Sequence, residues 1–292
     1  MFVQLRQLAL KYFNNASRFS ASTTNYPIPP RLPYIDGFIR DTRNDRKLRS
    51  IFNFKSKNCE TKKLRIEIAD EKDIPLVVQS CADLFINDVN LYKHLNPTYD
   101  DLSQLYFDKK AKMFSSGVNF VVKDEDKVVA FTIGDIYDLK DIPEKYQTFR
   151  YSKDAKFEFK DDYAEDIKNA QGNTEKARII NAFFEPSKSQ IYKFVPSDIR
   201  KFFLYEATGI HENYRKSFLY RTLFDYMCED ARKNGAEYMI TYCLAIASAR
   251  QVAKDSDLLI KFPYNRFKEN GKIIFYDMCD GAEALEVYGK RL

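Results

Sequence analysis

The chain has no tryptophan, only two histidines and nine glycines in 292 residues. With His94 and His211 alone, and five cysteines (Cys59, Cys81, Cys228, Cys243, Cys279) that form no CxxC pair, there is almost no room for a His/Cys metal cluster, and no metal site is expected. The scattered cysteines argue against a disulfide framework and for a reducing compartment. No apolar run approaches the length a bilayer requires, so nothing reads as a membrane span. Acidic residues are absent from residues 1–35, where Arg6, Lys11, Arg18 and Arg31 give +4. Residues 36–65 add ten Lys/Arg against Asp36, Asp41, Asp45 and Glu60, a further +6. The net charge of +5 therefore leaves −5 for the rest, a basic arm on a mildly acidic body. An acidic body without a basic aromatic stripe ranks a pure nucleic-acid-binding module low.

What is present is globular: 45% hydrophobic residues and 15% aromatic ones, from 24 Phe and 20 Tyr. At the start, Phe2, Leu5, Leu8, Ala9 and Tyr12 share one helical face, interrupted by Arg6 and Lys11. A basic, acid-free amphipathic stretch of this kind matches a mitochondrial presequence over residues 1–20, with processing near Phe19 or Ser20. The competing reading is a surface helix that stays attached and docks on a partner. Four prolines between Pro27 and Pro33 disfavour helix and sheet. Residues 21–62 thus read as an extended, Pro-rich and basic arm, either a solvated linker or a segment laid on RNA, anionic lipid or an acidic protein face.

Residues 63–292 read as one mixed α/β domain. Leu64, Ile66 and Ile68 alternate as in a half-buried strand, and Asp73 with Pro75 opens a helix. Thr98 with Asp101 makes a capping-box start for a second helix, through about Met113. Residues 118–136 form a hairpin with its turn at Asp124–Asp126. A polar insert with a helix around 162–184 follows. Then come a strand at 201–210, a helix at 214–233, a strand at 237–246 and a helix from about Ser248. A closing hairpin turns at Glu269-Asn270-Gly271.

This order, with three particular stretches, resembles the GNAT N-acyltransferase superfamily, and within it the arylalkylamine N-acetyltransferase-like branch. The stretches are "HENYRKSFLYRTLFDYM" (211–227), "ASARQVAK" (247–254) and "FPYNRFKENGKIIFYDM" with the tail "VYGKRL". The resemblance covers about residues 64–292. It implies a mixed, mostly antiparallel central sheet flanked by helices, here with an extended N-terminal arm. It also implies a loop-to-helix turn whose backbone N–H groups bind the pyrophosphate of acetyl-CoA.

In such a turn, glycine lets the backbone approach the phosphates. Aligned on Arg215, the family's glycines fall on Phe218 and Tyr220, with Lys216 at a further commonly glycine position. A retained cofactor site would comprise Arg215, Lys216, Ser217, Phe218, Leu219 and Tyr220. The plain alternative is an ordinary amphipathic helix burying Leu219, Leu223, Tyr226 and Met227. Where the branch places a Glu before Pro-Leu, this chain has Val89-Asn90-Leu91, with Asp88 one position away. Ser248 matches the serine before Ala-Arg, and Leu244 stands where a second serine would help.

An amine nucleophile must lose a proton near neutral pH, so a carboxylate base is needed. Glu206, amid apolar residues, and Asp88 are the candidates, with Ser248 as a relay. Tyr264 and Tyr276 are available as acids without standing out.

Two functional readings follow. In the first, the bulky turn and the missing base indicate a protein without catalytic or cofactor-binding residues, an accessory structural subunit of a mitochondrial assembly. The hosts that suit it are an inner-membrane energy-converting complex or the mitochondrial ribosome. The arm would contact other subunits, rRNA or anionic lipid on the matrix side. In the second, the chain is an active mitochondrial acetyl-CoA-dependent N-acyltransferase acting on an amine.

Overall fold

The computed structural model describes residues 30–55, 61–103, 113–138 and 151–292. The expected presequence and the prolines up to Pro29 lie outside the described residues, as does the second helix beyond Ser103.

An eight-stranded sheet organises the molecule. Its strands are β1 (Leu48–Lys55), β2 (Thr61–Ile68), β3 (Phe120–Asp124), β4 (Lys127–Asp138), β5 (Lys201–Ile210), β6 (Tyr238–Cys243), β7 (Asp257–Pro263) and β8 (Ala284–Arg291). They run in the order β1-β2-β3-β4-β5-β6-β8-β7. Every neighbouring pair is antiparallel except β5 and β6, which are parallel. This is the expected mixed, mostly antiparallel sheet.

The helices are α1 (Ile74–Asp88), α2 (Asn90–Leu95), α3 (Ala164–Asn169), α4 (Glu175–Gln190), α5 (Leu219–Lys233) and α6 (Ile246–Val252). They cover both faces. Leu76, Val77 and Cys81 of α1 pack on Val121, Phe131 and Ile133. On the same side, Ile180 and Phe183 of α4 join Phe202, Ile240 and Phe262 in a large aromatic cluster. On the opposite side, Leu223, Phe224 and Met227 of α5 pack on Phe203, Tyr205 and Met239. Alternation along β5 sends Phe202 to one face and Phe203 to the other, as the pleat requires. None of the described helices is long and apolar enough to cross a membrane.

Two features differ from the expected layout. Leu48–Lys55, expected within the arm, is the edge strand β1, paired with β2 from Leu48↔Glu67 to Lys55↔Thr61. The residues before it are held by Arg46, 6% exposed, which bonds Asp73 through both Nε (2.9 Å) and Nη2 (2.6 Å) and pairs with Asp41 at 2.6 Å and Glu67 at 3.2 Å. Asp73 does stand at the N-cap of α1, but its carboxylate turns to Arg46 and to the Asp70 N–H instead of capping. A charge pattern alone does not distinguish a solvated basic stretch from one that folds onto acids distant in sequence.

The second difference is at the C-terminal end. Lys268–Glu269 and Lys272–Ile273 do form a hairpin, turning at Asn270 (φ 49°) and Gly271 (φ 77°), both in the left-handed region. The hairpin stands outside the main sheet, whose last ladder is β8 between β6 and β7.

Candidate active site

β5 and β6 pair only from Phe202↔Tyr238 to Tyr205↔Thr241. Beyond Tyr205, β5 stays with β4 as far as Ile210, while β6 continues alongside β8. The two parallel strands therefore diverge, and a crevice of about 200 Å³ opens between them. A buried strand edge of this kind presents backbone N–H and C=O groups that an extended amide-bearing ligand can pair with.

The divergence coincides with a break in the β4–β5 register. Ile133 faces Ala207 and Gly134 faces Tyr205, so Glu206 is the extra residue of a β-bulge. A bulge re-aims the side chain it carries. Tyr205 packs with the α5 cluster and Ala207 with the α1 cluster. Burial holds the Tyr137 and Tyr242 hydroxyls above their ordinary range, and the Glu206 charge adds to this, next after burial at Tyr137 and after the Tyr192 charge at Tyr242. Both tyrosines pack against the α4-side cluster, so Glu206 faces that side of the sheet.

The bulge is kept in place across β4. Gly134 lies opposite it, and a Cβ there would come within 2.4 Å of the Phe203 ring. The Gly134 N–H donates to Asn119 Oδ1 at 2.6 Å, and Asn119 Nδ2 donates to the Gly134 carbonyl at 3.1 Å. Asn119, fully buried, thus continues the ladder past the end of β3.

Hydroxyls gather on the α5 side of the crevice. Tyr205 and Thr208 are joined at 2.5 Å between Oη and Oγ1, and Tyr220 is hydrogen-bonded to Tyr205. Burial pushes Tyr220 up to about 12, so it stays a protonated donor at neutral pH. Ser248, from the first turns of α6, lines the same crevice, as does Cys243. Burial and the Glu286 charge push the Cys243 thiol up to about 12, which leaves it protonated and a poor nucleophile. Val89 and Leu244, at the positions where the resembled branch has polar residues, are in the crevice too. Asn90 bonds the Leu244 carbonyl at 2.8 Å and Asp280 at 2.8 Å, tying α2 to the start of α6.

Residues 215–218 lead into α5, whose Tyr220 lines the crevice. Lys216 adopts φ 59°, the left-handed conformation that glycine takes most readily. No side chain of Phe218 caps α5, and its first turn has no acidic residue. Ser217 Oγ accepts from the Leu219 N–H at 3.3 Å. The N-terminus of a 15-residue helix with Arg215 and Lys216 beside it is suited to an anion.

The two bulky residues behave differently. Phe218 is 84% exposed and is not among the residues that line the crevice, a direction the sequence left open. Tyr220 does turn inward, stacked on Phe224 at 6.3 Å. Leu219 is fully buried in the α5 cluster, with Leu223 and Met227.

The structure gathers some sequence candidates and separates others. Glu206, Ser248 and Tyr220 share the crevice. Asp88, at the end of α1, instead forms an ion pair with Arg215, whose Nε also donates to the Ile210 carbonyl at 2.8 Å. Asp88 therefore braces the loop. Tyr264 donates to the Leu244 carbonyl at 2.8 Å, and Tyr276 lies edge-on to His94 at the surface. Sequence reasoning missed Lys188, Asn181 and Thr208 in the lining. Residues 181, 184 and 188 follow helical spacing, a signal hidden by the polar composition of the insert.

No known protein-family profile and no curated protein matches the sequence. Solved structures do. Arylalkylamine N-acetyltransferase 2 from Aedes aegypti matches with a TM-score of 0.62 at 18% identity, over 78% of this chain and 98% of that one. A putative arylalkylamine N-acetyltransferase 7 from the same mosquito matches at 0.61 and 15%, over 86% and 98%. A Drosophila melanogaster polyamine N-acetyltransferase that forms N-acetylagmatine matches at 0.57 and 14%, over 78% and 100%. The chain has the GNAT acetyltransferase fold.

These findings overturn the reading of the chain as a non-catalytic accessory subunit of an assembly. The three chains named above, which share its fold over nearly their whole lengths, are acetyltransferases. The Phe218 ring, at a position where the resembled family has glycine, lies in solvent.

Proposed function

We propose that this chain is an acetyl-CoA-dependent N-acyltransferase whose acceptor is an amine. The observation that carries the reading is the crevice where β5 leaves β6, lined by Glu206 on its bulge and by Tyr220, to which the 215–218 turn leads. The turn fits an anionic cofactor: its left-handed Lys216 and its outward Phe218, which makes no capping bond, leave the backbone approachable. Backbone N–H groups of residues 216–220 would hold the pyrophosphate, with Arg215 positioning the loop through Asp88. Acetyl-CoA supplies an acyl group activated as a thioester.

The chain's own residues do the rest. Glu206 takes the proton that an ammonium must lose before its nitrogen can attack. Ser248 relays or orients at the α6 side of the crevice. Tyr220, held protonated and bonded to Tyr205, offers a donor to developing negative charge or to the departing sulfur. The apolar lining from Phe85, Val89 and Leu244 excludes water and strengthens these interactions. Mitochondrial import belongs to the same proposal, resting on the basic, acid-free amphipathic start of the chain.

Calorimetric titration of acetyl-CoA into the full chain, followed by thiol release with an amine panel, tests the reading. Micromolar binding and amine-dependent thiol release are expected. A folded protein that neither binds acetyl-CoA nor releases thiol would sink it.

A further inference from the structure

The bulge at Glu206 has a second effect, on the residues that flank it. In an unbroken strand, residues three apart point to opposite faces. With Glu206 as the extra residue of β5, Tyr205 and Thr208 fall on the same face, and Tyr205 Oη meets Thr208 Oγ1 at 2.5 Å. Tyr220 of α5 is hydrogen-bonded to Tyr205. Phe224, 2% exposed and one turn along α5 from Tyr220, holds both rings. Tyr220 is stacked on it at 6.3 Å, and Tyr205 lies edge-on to it at 5.2 Å. Thr208, Tyr205 and Tyr220 all line the crevice. Three hydroxyls thus form one chain, with one end on β5 and the other on α5, along a single space.

A phenol has one O–H, so Tyr205 donates to one neighbour and accepts from the other. With Thr208 donating to Tyr205 and Tyr205 to Tyr220, the Tyr220 proton is the one offered onward. Once it leaves, each oxygen can take the proton of the hydroxyl behind it. Burial keeps both phenols protonated at neutral pH, so no link of the chain carries a charge. Hydrogen bonds in such a chain polarise one another, which makes the last hydroxyl a better donor.

We propose that Thr208, Tyr205 and Tyr220 form a proton relay that returns a proton lost by the acceptor nitrogen to the departing sulfur. This rests on the acyl-transfer reading of the crevice and assigns its proton path. Tyr220 is the acid, Thr208 the receiving end, and Tyr205 the positioning residue between them. The physical reason is desolvation. A thiolate leaving unprotonated and a nitrogen left positive would be two charges in an apolar crevice, and one proton moved along the hydroxyls removes both.

The step balances without further reagents. Glu206 takes the first proton from the ammonium and passes it to solvent. The nitrogen lone pair forms the C–N bond as the C–S bond breaks with its electrons on sulfur. Thr208 then takes the second proton from nitrogen, Tyr205 that of Thr208, and Tyr220 that of Tyr205, while the Tyr220 proton ends on sulfur. Every hydroxyl keeps one proton, and rotation of the three O–H bonds resets the chain.

The test uses the full chain with acetyl-CoA and whichever of tyramine, agmatine and putrescine it acetylates fastest, read as the single-turnover rate of thiol release. Tyr220→Phe should lower that rate by about 10²-fold or more. Tyr205→Phe and Thr208→Val each remove one hydroxyl at nearly constant shape and should each lower it about tenfold. The double variant should fall no further, because a chain is broken only once. Thr208→Ser should recover most of the rate lost in Thr208→Val. Calorimetry of CoA binding gives a readout without turnover. A Tyr220 donor at sulfur favours the thiolate, so CoA should bind more tightly as pH rises toward the ordinary thiol value of about 8.5. Tyr220→Phe should flatten that rise, and Tyr205→Phe should weaken it. Rates unmoved by Tyr205→Phe and Thr208→Val, or losses that multiply in the double variant, overturn the relay and leave acyl transfer standing. A rate unmoved by Tyr220→Phe overturns the acid assignment with it. If acetyl-CoA binds but none of the three amines is acetylated, the pH dependence of CoA binding decides, and a rise that Tyr220→Phe leaves intact overturns the proposal. If Tyr205→Phe does not fold, Thr208→Val against Thr208→Ser decides alone. A folded protein that neither binds acetyl-CoA nor acts on any of these amines overturns both readings.

Discussion

At Glu206, β5 carries one more residue than β4, and this extra residue sets the face of everything after it. Without the bulge, strict alternation would set the rest of β5 one residue out of phase, and Ala207 would face α5 instead of α1. If Glu206 is the base, Glu206→Gln should cut kcat by about 10²–10⁴-fold while acetyl-CoA affinity, read by calorimetry, stays within a few-fold. Phe218 presents the opposite case. Its ring touches solvent, so Phe218→Gly should change stability by no more than about 0.5 kcal/mol in a urea titration. The identity of Phe218 was legible in the sequence and its direction was not. A side chain at a helix N-cap is free to rotate in or out, and only the surrounding packing decides.

Strand and helix termini are held by polar side chains borrowed from elsewhere in the chain. Asn119 closes the ladder beyond β3 by bonding both backbone groups of Gly134. Asn119→Leu would leave a buried N–H and a buried C=O unmatched, and a loss of about 2–5 kcal/mol is expected from chemical denaturation. The start of β1 depends on Arg46. Arg46→Met would leave buried Asp73 with Arg43 alone and buried Glu67 with Arg65 alone, and should cost up to about 3–5 kcal/mol by the same measurement. The strand β2 was legible because its burial alternates from Lys63 to Ile66, whereas the β3–β4 hairpin, buried on both faces, was legible from its β-branched runs and the turn at Asp124–Asp126. The strand β1 was not, since its pattern of exposed and half-buried residues resembles a solvated stretch.

Across the whole molecule, the basic stretch and the acidic body neutralise each other internally. Arg43, Arg46 and Arg49 each meet carboxylates from the body, reaching Asp70, Asp73 and Asp230. Asp41 shows what this does to pH dependence. Burial pushes its carboxyl up, but the Arg46 hydrogen bond and charge, with Lys123, outweigh burial and hold it below the ordinary value. A carboxyl depressed in the folded state contributes stability that is present above its unfolded value of about 3.9 and is lost as pH falls through the folded value. Unfolding midpoints in urea should therefore hold steady above about pH 5 and fall below about pH 4, and Asp41→Asn should flatten that fall.

The sequence by itself determined the elements carried by local patterns, their order from β2 to α6, and through that order the GNAT-like sheet. Local alternation, turn chemistry and helix spacing act over a few residues, so they survive in a linear reading. Only the tertiary structure decided that β5 parts from β6 after Tyr205, that Glu206 sits on a bulge, and that Asp88 braces Arg215. It alone brought Lys188 to the same crevice as Glu206. These depend on pairings between residues far apart in the chain, where register and charge partners are set by the packing of whole elements against one another.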